Sequence, residues 1–163
     1  MAKAGESKRV KAGSAAAARL EKRIEFVQEY IKLWRQFFER FADDLEGRKI
    51  YKRDEDEFKK IFESLAHHHY QFTSKVYPEM SDTDGIVKIL SQVISLSHLK
   101  NVSEAQLSKL QVDWHSLFIE MNKALGRLIA RRALTPEELK LAKGAGPPPE
   151  EAPSAQPAPD EPS

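Results

Sequence analysis

The side chains with the most evident chemical capacity are three consecutive imidazoles, His67, His68 and His69. Neighbouring positions on a helix point about 100° apart, so the three cannot converge on one metal ion. Di-metal bundles take Glu-x-x-His pairs from two helices and further glutamates from the others. Glu63 and His67 stand one position too far apart for that pair and fall on the polar side of their helix. A His-Glu-x-x-His zinc spacing is absent. His69 falls within an apolar seam, which predicts a core histidine hydrogen-bonded to Ser91, Tyr30 or a water. The sharper alternative is a pH- or metal-sensitive layer centred on His69, since imidazole titrates near neutrality.

Other constellations carry less. Asp82-Thr83-Asp84-Gly85 resembles a fragment of a calcium loop, but aligning its glycine puts Met80 at the first ligand position and Ser91 where a bidentate glutamate belongs. Acidic residues that favour a helix N-terminus explain it better, as they do Asp54 to Glu57. Ser97-His98 and Asp113-His115-Ser116 contain the residue types of a hydrolytic triad, yet no strained nucleophile turn or glycine-rich oxyanion loop accompanies them. No phosphate-binding glycine loop is present. The sequence therefore points away from an enzyme, and no cofactor or metal is expected.

The elements that must position these residues are helices. Leu20, Ile24, Val27, Ile31, Trp34, Phe38, Phe41 and Leu45 alternate gaps of three and four, the rhythm of helices packed nearly parallel to one another. With Phe26, Tyr30, Leu33 and Phe37 added, the first helix (about 14–46) is apolar over half its circumference, enough for two neighbours. A second helix should open at Asp54, with Glu57 completing a capping box, and run to Val76 along Phe58, Phe62, Leu65, His69, Phe72 and Val76. A third, from about Asp82 to Asn101, should be the most buried. A fourth begins at Ser103, capped reciprocally by Gln106, with the seam Leu107, Leu110, Trp114, Leu117, Met121, Ala124 and Leu128. A short fifth follows Thr135-Pro136, over 136–143.

Short connections predict an all-α, antiparallel up-down four-helix bundle over residues 14–143, with Ile31, His69, Ser91 and Val112 at one height. It lies between a disordered basic arm (1–13) and a disordered, proline-rich acidic tail (144–163). A monomer is favoured, and a homodimer through the wide face of the first helix is the competitor.

The 163 residues carry a net charge of only +1, so attraction to nucleic acid or membrane must come from local asymmetry. The absence of cysteine removes disulfides and thiol chemistry and suits a reducing compartment. The longest uncharged apolar stretch, 89–99, is too short to span a bilayer, and cytoplasmic localisation is expected. One asymmetry stands out. The start of the first helix and the end of the fourth should share a pole, bringing Arg19, Lys22 and Arg23 toward Lys123, Arg127, Arg131 and Arg132. Glu21, Glu79, Asp82 and Asp84 would neutralise part of this charge. The expected function is a non-catalytic interaction or scaffold protein that binds a protein partner. The alternative is a nucleic-acid-associated protein that binds phosphates through the basic pole without sequence specificity.

Overall fold

A computed structural model of the chain describes residues 3–45 and 49–133, with side chains described over 13–40 and 49–132. The described residues are all-α. Five helices follow one another: α1 (Lys3–Leu45), α2 (Lys52–Val76), α3 (Asp84–Gln92), α4 (Leu96–Lys100) and α5 (Glu104–Ala133). The fifth helix expected at 136–143 and the acidic tail fall outside the described residues, as do the side chains of Phe41 and Leu45. No helix among the described residues is long and apolar enough to cross a membrane.

Helix α1 is the axis of the bundle, and its two apolar rows divide between two neighbours. Tyr30 stacks on Phe72 and Phe37 on Phe58, both of α2, with ring centroids 4.3 and 5.2 Å apart. Trp34 and Phe38 instead meet Trp114 of α5 at 6.3 and 3.9 Å. Pairs that ascend in α1 descend in its neighbours: Arg23, Tyr30 and Phe37 meet Lys75, Leu65 and Phe58, while Glu21 and Trp34 meet Arg132 and Trp114. Helix α1 therefore runs antiparallel to both α2 and α5. Among the described residues, Ile24, Val27, Tyr30, Ile31, Trp34 and Phe37 of the wide apolar face are buried within the chain.

Three local expectations need correction. Helix α1 begins at Lys3 rather than near residue 14. Helix α2 opens two residues before Asp54. Asp54 accepts the Tyr51 amide at 2.9 Å from the third helical position, and Glu57 pairs with Arg53 and Arg40 instead of closing a cap. The third helix is not one rod but two pieces, interrupted at Val93–Ser95. By contrast, the reciprocal Ser103–Gln106 cap ahead of α5 forms as expected, with Gln106 N–H donating to Ser103 Oγ at 3.2 Å and Ser103 N–H to Gln106 Oε1 at 3.4 Å.

The interruption has a visible cause. Ser95 Oγ accepts the His98 amide at 3.0 Å and caps α4 locally. Glu55, reaching across from α2, accepts the amides of Leu96 at 3.1 Å and Ser97 at 2.7 Å as well as the Ser97 hydroxyl. A new helix N-terminus is thus satisfied from two sides, which offsets the hydrogen bonds that a continuous helix would have made. Breaking the rod also turns Leu96 and Leu99 fully into the core while leaving Ile94 70% exposed.

Partial burial raises the Glu55 carboxyl, but hydrogen bonds from the Ser97 hydroxyl and the Ser97 and Leu96 amides outweigh it, and the net pKa lies below 4.5. A depressed carboxylate contributes stability that is present above its unfolded-state pKa and is lost as pH falls through the folded one. Glu55→Ala should therefore cost about 1 kcal/mol at pH 7, the usual size of a lost cap. The difference from the parent should shrink in urea titrations at a pH well below 4.5. A deficit independent of pH would mean that packing, not the carboxylate, holds α4.

Candidate functional site: a basic pole clasped around Glu79

Three residues of the predicted basic pole, Arg23, Arg127 and Arg131, meet around Glu79. Helix α2 ends at Val76, and the chain turns through Tyr77 and a cis-linked Pro78 to Glu79. That turn carries Glu79 inward, and its side chain retains only 3% of its exposure. Burial of a carboxylate is costly unless charge and hydrogen bonds compensate. Arg23 of α1 reaches Glu79 Oε2 at 3.2 Å, and Arg131 of α5 reaches Oε1 at 2.6 Å. Arg23 also donates to the carbonyls of Lys75 at 2.9 Å and Tyr77 at 2.8 Å, at the negative end of α2. Arg127 donates to the backbone carbonyl of Glu79 at 2.8 Å. Three helices are therefore tied to one turn through a single buried acid.

The remaining members of the predicted pole take different places. Arg132 pairs with Glu21 at 3.3 Å, bridging the end of α5 to the interior of α1. Lys123 pairs with Glu120 one turn before Arg127, at 2.8 Å. Arg19 and Lys22 are exposed on α1. Thus Arg23, Arg127 and Arg131 converge, Arg132 and Lys123 are paired beside them, and Arg19 and Lys22 stand outside the clasp. Sequence reasoning counted Glu79 only as a partial neutraliser of this charge. No local signal announces its burial, which depends on arginines from two other helices.

The histidine layer is not assembled. Tyr30 donates to the carbonyl of Leu65 at 3.2 Å, and burial pushes its phenol pKa well up. Ser91 is exposed and donates to the carbonyl of Lys88 at 2.8 Å. His69 is half-buried between them in sequence register but has neither as partner. Two physical reasons account for this. The α1–α2 register puts Tyr30 against Leu65, one turn from His69, where the carbonyl oxygen has a second lone pair to offer. Ser91 lies on the solvent face of α3. Val112, assigned to the same layer, is likewise exposed. His67 faces solvent as expected, and His68 sits at the seam's edge beside Phe26, its Nδ1 2.9 Å from the Ser64 carbonyl oxygen. Among the described residues no three His, Asp or Glu side chains gather as a metal site.

Two clefts adjoin the clasp. The larger, about 710 Å³, runs between α3 and α5, from Gly85, Lys88 and Ile89 to Asp113, Leu117 and Glu120. Of its charged residues, Lys109 pairs with Asp113 and Glu120 with Lys123, while Asp82, Lys88 and Arg127 also line it. The smaller, about 370 Å³, is bounded by Pro78, Glu79, Arg127 and Arg131. No family model, curated protein or solved structure matches the chain.

Proposed function

We propose that this protein is a non-catalytic helical bundle that binds a protein partner through apolar side chains on its outer surface. The observation that carries this reading is Ile94, 70% exposed at the α3–α4 break. It borders a cleft of about 240 Å³ whose floor includes Phe58 and Phe62 of α2. Contiguous exposed apolar surface, rather than residues scattered singly, marks association surfaces, and Ile94 is continuous with the apolar wall of this recess. Tyr70, 79% exposed on α2, and the pair Val112 and Ile119, two turns apart on the outer face of α5, add further apolar surface.

The reading is tested by affinity purification of the tagged chain from its source cells, with and without nuclease. The expected result is a specific protein partner that survives nuclease. Ile94→Ser should reduce its recovery at least about threefold while shifting stability by no more than about 0.5 kcal/mol, because the side chain is already solvated. Unchanged recovery would remove Ile94 from the interface.

The nucleic-acid alternative is less well supported, because most of the pole's cations are engaged within the protein. Retention dominated by nuclease-sensitive material would reverse that order.

A further inference from the structure

We infer that the small cleft between the α2–α3 turn and α5 is a discrete binding site for a small, multiply charged oxyanion of the phosphate type, held by Arg127 and Arg131. The inference narrows the basic-pole reading from a diffuse surface to one recess, and it does not depend on the protein-partner proposal.

The argument begins with charge. Around Glu79 the fold gathers three guanidiniums, Arg23, Arg127 and Arg131, against one carboxylate. Glu79 is enclosed, and its carboxylate faces Arg23 and Arg131 while Arg127 bonds to its backbone carbonyl instead. Arg127 is held through a backbone carbonyl, a dipole that positions it without cancelling its charge. The next carboxylate back along α5, Glu120, is two turns away and paired with Lys123, so that Arg127 feels it only weakly. A local excess of positive charge therefore remains beside the cleft.

Geometry makes the excess usable. Arg127 and Arg131 are one turn apart on α5, about 6 Å of helix rise, close enough for both to reach one tetrahedral oxyanion. Each guanidinium carries five N–H donors in a planar fork. The bonds described use Nη1 of Arg127 and Nη2 of Arg131, leaving donors on both. Both side chains are already immobilised by Glu79, so an anion meets donors whose rotamer entropy has been lost on folding. The recess, about 370 Å³ and open to solvent, is bounded by Pro78, Glu79, Arg127 and Arg131, which leaves room for a single phosphate or pyrophosphate against the two guanidiniums.

The test is calorimetric titration of the full chain with inorganic phosphate and with pyrophosphate at low salt. The expected result is saturable one-site binding, tighter for pyrophosphate. Arg127→Ala should weaken it about tenfold or more, the usual consequence of losing charge-assisted hydrogen bonds. Arg132→Ala removes the same charge from the same pole but does not line the cleft, and should change affinity less than about twofold. Arg127→Lys keeps the charge but loses the fork, and should also weaken binding. Matching far-UV circular dichroism and melting curves establish that the variants are folded. Absence of saturable binding by the parent chain overturns the inference. So does an equal loss in Arg127→Ala and Arg132→Ala, or binding of a single-stranded oligonucleotide with no response to phosphate, since either result marks a diffuse basic surface.

Discussion

Trp34→Ala should lower the unfolding free energy by about 3–5 kcal/mol, the range for deleting a large aromatic from a packed interior. Trp34 is fully buried at the point where the two rows of α1 diverge. Its ring lies 5.7 Å from Phe37, which faces α2, and 6.3 Å from Trp114 on α5. The cavity would therefore open between two helix interfaces at once, and neither can collapse into it without loosening the other. Urea denaturation followed by far-UV circular dichroism measures the effect, provided that the slope of the transition is unchanged. Trp34→Phe should cost much less, for a specific reason. The indole Nε1 of Trp34 is buried without a hydrogen-bond partner, and phenylalanine removes that uncompensated donor while keeping most of the apolar volume. If the two variants are equally destabilised, the indole makes contacts that a phenyl ring cannot replace, and the orphaned donor is energetically irrelevant.

Glu79→Ala should cost about 3 kcal/mol at neutral pH. Removing one partner of a buried ion pair typically costs 3–5 kcal/mol, and the lower end applies because Arg23 and Arg131 keep some contact with solvent. The substitution also leaves Arg23 and Arg131 facing each other without the intervening acid, and it loosens the tie between α1, α5 and the α2–α3 turn. Arg35→Ala, which breaks the exposed Arg35–Glu39 pair on α1, is the contrast and should cost less than about 0.5 kcal/mol. Added salt should narrow the small Arg35 effect and leave most of the Glu79 effect, because a buried pair is poorly screened. A Glu79→Ala cost below about 1 kcal/mol would show that desolvation of the carboxylate nearly cancels its attractions, and that the clasp orients the helix ends without stabilising them.

Both effects arise where α1 meets its neighbours, but they differ in how far the sequence announces them. Trp34 stands in a seam of alternating three- and four-residue gaps, and burial follows from that periodicity alone. Glu79 stands in no seam. Its burial depends on the path of the chain after Val76 and on arginines from two other helices, Arg23 in α1 and Arg131 in α5. The same contrast runs through the rest of the bundle. The Ser103–Gln106 cap was legible because both partners lie within one turn. The break between α3 and α4 was not, because Glu55, which satisfies the amides of Leu96 and Ser97, comes from another helix.

By itself, then, the sequence determined the helical class, the two apolar rows of α1 and the course of α5. These are properties of local periodicity, capping and connection length, which act over a few residues and survive in any packing of the same helices. Tertiary structure alone decided the register that sends Tyr30 to Leu65 rather than to His69. It also decided the division of the third helix, and the conversion of a positive pole into a clasp around one buried acid. Each of these depends on where a side chain from one helix meets the backbone or charge of another. Such meetings are set by interhelical offsets of a single turn, and periodic patterning, which repeats every turn, does not distinguish one offset from the next.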